Sequence, residues 1–175
     1  MANTYTFIAS SILGSATSGI TFSGIPSTYN DLIIKFSTRS SNNGAVFENI
    51  LLTFNGSGGT AYSKTLLYSQ GSVSTNGSNR ESSVSRATLE SVGSGQSTTA
   101  STFGSGEIYI PSYATSQYKS FEVYGLGENN SSAAYMGVTA ALWRSTAAIT
   151  SITLAGDTAN FATGSSFYLY GIKNS

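Results

Sequence analysis

The sequence predicts an all-β protein built as a two-sheet β-sandwich of jelly-roll type. Apolar residues recur at every second position wherever they gather, which is the period of a strand with one buried face. Polar stretches rich in Gly, Asn and Ser separate these segments, as turns separate strands. The length of 175 residues suits one domain spanning 1–175.

Ten stretches of the chain carry the alternating pattern. In the first, Tyr5 and Phe7 share one face, and threonines occupy the other. Pro26 ends the second, because proline has no N–H to donate to a sheet ladder. The best helix candidate is 133–142, but Gly137 and the β-branched pair after it favour a strand. The predicted strands are 5–9, 20–25, 32–36, 47–54, 62–68, 107–110, 118–124, 134–143, 149–154 and 167–172.

One face of each predicted strand carries larger apolar side chains, and these faces together predict the core. The third strand is typical, since Leu32, Ile34 and Phe36 share one face and Lys35 lies on the other. The predicted core consists of Phe22, Leu32, Ile34, Phe36, Leu52, Phe54, Ile108, Ile110, Phe121, Val123, Ile152, Leu154, Leu169 and Ile172.

Residues 69–106 differ from the rest of the chain, because most of them are Ser, Thr, Gly or Asn. This composition predicts a Ser/Gly-rich loop region, in which 84–92 is compatible with a strand and 93–102 forms a long loop. Two interpretations are open. The segment is either a surface loop of the sandwich or a segment that only a neighbouring subunit orders.

The composition excludes several classes of function. The chain has no Cys and no His, which removes thiolate nucleophiles, Cys-ligated metals and the usual general base. Its 8 basic residues balance its 8 acidic residues and form no cluster, so no nucleic-acid partner is predicted. No apolar run approaches the length of about 18 residues that a membrane span needs. We predict no cofactor, no metal site and no membrane partner.

The acidic residues suggest two sites, and in both cases a structural role is the preferred interpretation. Glu107 and Glu122 are candidates for the paired carboxylates of a glycosidase, but strand alternation favours outward, solvent-facing positions for both. Asp157 and Asn160 offer oxygen ligands for calcium, but two residues are too few and are typical of a turn.

The 11 tyrosines are a further candidate feature. Tyr168 and Tyr170 flank Leu169 and therefore share one face of a strand. Exposed aromatic rings stack on sugars, but Tyr, Trp and Arg are also favoured where subunits meet, and we prefer packing or subunit contact. The candidate interface residues are Tyr5, Phe7, Trp143, Arg144, Tyr168 and Tyr170.

Segment 18–40 resembles virion structural proteins of tailed bacteriophages, particularly phages of cyanobacteria and aquatic bacteria. Its sequence is SGITFSGIPSTYNDLIIKFSTRS. The resemblance resumes at FNG (54–56), at IYIPSY (108–113) and at WRSTAAITSITL (143–154), and it closes with FATGSSFYLYGI (161–172). These motifs are strand-and-turn patterns, and they are spread along the chain on both sides of its Ser/Gly-rich middle.

The resemblance implies a function as well as a fold. Proteins of this kind are β-sandwich modules that serve as capsid decoration (cement) proteins or as parts of tail fibres, and no catalytic residues are implied. We therefore expect a non-enzymatic virion protein on the capsid exterior, with the major capsid protein as partner and a homotrimeric state. The alternative is a tail-fibre or receptor-binding module with a host-surface glycan as its ligand. The absence of a repetitive stalk segment favours the decoration role.

The low charge also constrains how such a protein attaches. With 9% charged residues, apolar contact and main-chain hydrogen bonding must supply most of the affinity. The uncharged stretch 2–9 has two open interpretations. It is either a donor strand for an exposed sheet edge of a partner or the first strand of its own sandwich, and we slightly prefer the second.

Overall fold

The computed structural model describes residues 4–42, 44–71, 75–95, 97–130 and 134–173. Over these residues the chain forms twelve strands and no helix. The strands are β1 (Tyr5–Ile12), β2 (Gly19–Ser23), β3 (Asp31–Thr38), β4 (Phe47–Phe54), β5 (Tyr62–Gln70), β6 (Thr75–Val84), β7 (Ala87–Ser94), β8 (Gly104–Ile110), β9 (Lys119–Gly127), β10 (Tyr135–Trp143), β11 (Ser151–Gly156) and β12 (Ser166–Ile172).

The strands form two antiparallel sheets that pack as a sandwich, which confirms the predicted fold class. The large sheet has eight strands in the order β1-β12-β3-β8-β9-β10-β5-β6. The small sheet has four strands in the order β2-β11-β4-β7. The edges of the large sheet are therefore β1 and β6, and those of the small sheet are β2 and β7.

The core lies between the two sheets, and every residue of the predicted core is buried. All of them belong to this core except Ile172, which shares a face of β12 with Tyr168 and Tyr170. The alternation that predicted it is visible in β4, where every second residue from Glu48 to Phe54 is buried. Three inward positions with a polar group add to the apolar set: Tyr62 and Lys64 on β5, and Lys119 on β9. The sandwich therefore buries polar groups that need partners inside the fold.

An aromatic cluster fills the centre of the core around Phe54. The Phe54 ring lies 5.1 Å from that of Phe121, 5.4 Å from that of Trp143 and 6.2 Å from that of Tyr62, measured between centroids. The backbone N–H of Phe54 also donates to the phenol oxygen of Tyr62 over 2.7 Å. Burial raises the pKa of Tyr62 to about 12, because the ionised phenol would lose its hydration.

The structure corrects the prediction of a loop region over residues 69–106 where β6 lies, whereas β7 overlaps the stretch 84–92 that is compatible with a strand. Strand β6 pairs with β5 at one edge of the large sheet, and β7 pairs with β4 at an edge of the small sheet. The alternative, ordering by a neighbouring subunit, is also wrong for these strands, because their partners belong to the same chain. The amino-acid composition did not predict β6, because an edge strand with a solvated face needs few large apolar residues.

A buried arginine organises the loop that remains between β7 and β8. The Nη1 atom of Arg39 donates to the hydroxyl of Thr98 over 3.0 Å and to the carbonyls of Thr99 and Thr102 over 3.1 and 2.8 Å. The loop therefore depends little on large apolar side chains, because the Arg39 guanidinium donates hydrogen bonds to several of its oxygen atoms. Order in this part of the predicted long loop therefore comes from Arg39, which directly follows β3.

The N-terminal stretch belongs to its own sandwich. Strand β1 pairs with β12 from Tyr5 opposite Ile172 to Ile12 opposite Ser166. This confirms the preferred interpretation of the first strand. Residues 2 and 3, which the prediction also included, lie outside the described residues.

Candidate interaction surface

The outer face is the side of the large sheet that points away from the small sheet. Strand register places its side chains in rows that cross the sheet. One row consists of Phe7, Tyr170, Ile33, Tyr109 and Glu122. The next row consists of Tyr168, Lys35, Glu107, Tyr124, Val138 and Leu67. Four tyrosines that the core does not use therefore meet on one surface.

Four of the six predicted interface residues form an aromatic edge, which consists of Tyr5, Phe7, Tyr168 and Tyr170. Tyr5 and Phe7 are 53% and 56% exposed on β1, and the two β12 tyrosines beside them are half-buried. The rings of Phe7 and Tyr170 meet edge to face at 5.9 Å. Exposed aromatic side chains on adjacent strands are typical of a contact surface, although their role in an interface stays a prediction.

The backbone of β1 adds a second binding feature to the aromatic edge. The strand is eight residues long and carries neither a charged residue nor a proline. Native edge strands are usually protected by Lys, Pro or a bulge, and β1 has a register shift between Phe7 and Ala9 as its only such device within Tyr5–Ile12. By contrast, the opposite edge strand β6 carries Arg80 and Glu81. The β1 edge is therefore suited to pairing with a strand of a partner.

Trp143 is not part of this surface, which corrects its prediction as an interface residue. Its indole is 2% exposed and lies in the core beside Phe54 and Tyr62. The ammonium of Lys119 lies 5.9 Å from the indole ring and donates to the carbonyls of Thr115 and Gln117 over 2.6 and 2.7 Å. Burial lowers the pKa of Lys119. Trp143 therefore stabilises the fold.

Arg144 is exposed but lies apart from the aromatic edge. Strands β3, β8 and β9 separate β12 from β10, which Arg144 follows. Its guanidinium donates to the carbonyl of Thr60 and lies 3.4 Å from the hydroxyl of Ser83. Arg144 thus connects the chain before β5 to the end of β6, and the structure does not bring it together with the predicted tyrosines.

A second group of exposed apolar side chains, the apolar patch, occupies the outer face of β9, β10 and β5. The patch consists of Leu67, Tyr124, Met136 and Val138, which are 62%, 45%, 51% and 52% exposed. Tyr124 lies opposite Val138, and Val138 lies opposite Leu67. The sequence did not reveal this patch, because the small residues of β10 left the inward face of that strand ambiguous.

The charged side chains between the aromatic edge and the apolar patch are largely paired with other groups of the chain. Lys35 Nζ lies 2.5 Å from Glu107 Oε2, and this hydrogen bond raises the pKa of Lys35. The Tyr109 hydroxyl donates to Asp31 Oδ2 over 2.9 Å, and burial together with this bond raises the pKa of Tyr109. Glu107 and Glu122 both point outward, as alternation predicted.

Five of the sixteen charged side chains are buried, which lowers the surface charge further. Each has partners inside the fold. Lys64 is typical, since its ammonium contacts Glu90, lies 3.5 Å from Glu81 Oε2 and donates to the Thr88 carbonyl over 3.1 Å. The five buried charged residues are Asp31, Arg39, Glu48, Lys64 and Lys119.

Asp157 has the turn role that the sequence favoured. Its carboxylate accepts a hydrogen bond from Asn49 Nδ2 over 3.1 Å and lies 3.9 Å from Arg86 Nη2. The neighbouring Thr158 donates its hydroxyl and its N–H to the buried carboxylate of Glu48. Within the described ranges, no three His, Cys, Asp or Glu side chains are grouped as a metal site would require.

No protein-family model matches the chain, and no curated protein sequence matches it. The resemblance to phage virion proteins therefore depends on the quoted motifs alone. In the part of the chain that the structure describes, no helix is long and apolar enough to span a membrane.

Proposed function

We propose that this protein is a non-enzymatic structural protein of a phage virion that decorates and reinforces the exterior of the capsid. The observation that carries the proposal is the aromatic edge, where exposed rings lie beside a strand edge without charge. A surface of this kind binds a partner through apolar burial and main-chain hydrogen bonds. It suits permanent attachment to a particle better than a reversible encounter steered by charge.

The order of the strands supports a jelly-roll fold for the protein. The large sheet contains β1-β12-β3-β8 in this order, and the small sheet consists of β2-β11-β4-β7. Among these eight strands the chain changes sheet at every step except from β4 to β7. Eight strands in this arrangement correspond to the two Greek keys of a jelly roll, a fold that recurs in viral capsid and lectin domains. The hairpins β5–β6 and β9–β10 are then insertions that widen the large sheet.

In this role the partner is the major capsid protein and the active form is a homotrimer seated where capsomers meet. Closed cyclic symmetry is the expected form of such an assembly. The aromatic edge supplies contacts of the type found at interface centres, which are rich in tyrosine and other aromatic residues.

Electron cryomicroscopy of the particles that contain this chain tests the proposal. We expect density of this sandwich on the outer surface of the head, three copies around each site. A monomer seated alone within the particle would contradict the trimer, and absence of the chain from purified particles would contradict any virion role.

The rival is a tail-fibre or receptor-binding module. A tail-fibre module would have the same fold and composition as a decoration protein. The two roles differ in where the protein lies in the particle. Density of the sandwich on the tail and not on the head would establish the rival and refute decoration.

A further inference from the structure

A depression on the outer face gathers residues that the proposed structural role does not use. Glu107 lies opposite Tyr124 and Tyr109 lies opposite Glu122, so phenol rings and carboxylates alternate over four neighbouring positions of β8 and β9. Diagonal neighbours on paired strands are about 7–8 Å apart, near enough for long side chains to contact one small ligand. This β8–β9 depression has a volume of ≈150 Å³ and is lined by Glu107, Tyr109, Glu122, Val123, Tyr124 and Val138.

The groups at the rim of the depression are exposed to solvent and can contact a ligand. Glu122 is exposed and forms no hydrogen bond or ion pair with any described residue. Tyr124 presents 45% of its surface to solvent, and the exposed Val138 lies opposite it on β10. An ionised carboxylate accepts hydrogen bonds through two oxygens, and a tyrosine ring offers a flat apolar face.

We propose that the β8–β9 depression binds a neutral saccharide. The apolar C–H face of a pyranose ring would stack on Tyr124 and contact Val138, while adjacent sugar hydroxyls donate to the Glu122 carboxylate. The Tyr109 hydroxyl donates to Asp31, which leaves its oxygen free to accept from a further sugar hydroxyl. A few polar groups beside an aromatic ring and an aliphatic side chain are the usual composition of a small-molecule site.

The charge of the depression favours a neutral ligand over a cation. Lys35 already neutralises Glu107 at 2.5 Å, so Glu122 is the remaining uncompensated carboxylate among the lining residues. A cation would gain one solvent-exposed ion pair, which contributes little affinity. A polyol instead combines hydrogen bonds to a charged acceptor with apolar contact, and neither depends on net charge.

The inference goes beyond attachment to the particle and does not depend on it. Saturation-transfer NMR of the full chain with neutral hexoses and N-acetylhexosamines at millimolar concentration tests it directly. Tyr124→Ala should weaken binding about tenfold through loss of stacking, and Glu122→Gln about fivefold through loss of a charged acceptor. The matched controls are Tyr118→Ala, a tyrosine outside the depression that is 59% exposed, and Glu128→Gln, and both should leave binding unchanged.

Three results would overturn the proposal. The first is that no neutral sugar in the panel binds. The second is that sugars bind but Tyr124→Ala and Glu122→Gln do not weaken them, which would place the site elsewhere. The third is that tetramethylammonium, titrated as a cationic probe, binds at Tyr124 and neutral sugars do not. Thermal unfolding of each variant, unchanged from that of the parent protein, shows that the fold is retained.

Discussion

The cluster around the buried Lys64 gives an unusual prediction. The conservative substitution Glu90→Gln should destabilise the protein more than Lys64→Met, which removes the buried ammonium. The Lys64 side chain is fully buried, and its ammonium contacts Glu90 and approaches Glu81. Glu90→Gln leaves the ammonium buried with weaker compensation. Lys64→Met removes that ammonium, and the two carboxylates left behind are 24% and 35% exposed and can hydrate.

The magnitude follows from the partners that remain. Breaking a fully buried ion pair costs about 3–5 kcal/mol of unfolding free energy. In Glu90→Gln, Glu81 at 3.5 Å and the Thr88 carbonyl at 3.1 Å still compensate part of the charge. We therefore expect a loss of about 2 kcal/mol. In Lys64→Met the two carboxylates left behind are partly exposed and can hydrate. We therefore expect this substitution to cost less than about 1 kcal/mol, the value typical of a solvent-exposed ion pair.

Equilibrium urea unfolding of both single variants and the double variant measures these values. The double variant should be more stable than Glu90→Gln alone, because it no longer buries an ammonium that is only partly compensated. If Lys64→Met were the more damaging single substitution, the lysine would contribute net stability and the reasoning would be refuted. A shift below about 0.5 kcal/mol for Glu90→Gln, the range of ordinary surface substitutions, would refute it as well.

Three further outcomes follow from the core, the loop and the buried phenol. Phe54→Ala should cost about 3–5 kcal/mol in urea unfolding, whereas the exposed Phe7→Ala should stay within about 0.5 kcal/mol; equal losses would contradict the assigned core. Arg39→Lys should lower hydrogen-exchange protection in the β7–β8 loop, since lysine lacks the guanidinium fork; unchanged protection would show that Arg39 does not order it. Tyr62 has a folded pKa of about 12 against an ordinary 10.0, so its neutral form stabilises the fold below pH 10. That contribution, about 2–3 kcal/mol, is lost as the pH rises from about 10 to 12, and Tyr62→Phe should remove this part of the alkaline loss. An identical alkaline loss in Tyr62→Phe would contradict the assignment.

The core was predictable because large apolar residues alternate with polar ones in most strands. Leu52 and Phe54 in β4 show why, since each is flanked by a residue that contacts solvent. The two-residue period of a strand then places such residues on the same face of the sheet. The same reasoning failed for β6, whose inward side covers the Lys64 cluster and needs no apolar residues.

The candidate surface was predictable only in part. Tyr168 and Tyr170 follow from alternation around Leu169, and the pairing of β12 with β1 adds Phe7. Trp143 was misplaced because β10 is built from small residues, and its inward positions include Thr139 while Val138 points outward. The alternation of Glu107, Tyr109, Glu122 and Tyr124 depends on the register between β8 and β9, which local sequence does not specify.

The central claim is that the protein attaches to a particle through uncharged surface. Sedimentation of decorated particles in increasing NaCl, and separately in urea, tests it most directly. Ions at molar concentration screen charge pairs beyond about 3 Å but scarcely weaken apolar burial, whereas urea solvates apolar and peptide groups. We expect the protein to sediment with the particles in NaCl on the order of 1 M and to be released by urea. Release by NaCl alone, with the released protein still folded, would contradict the claim.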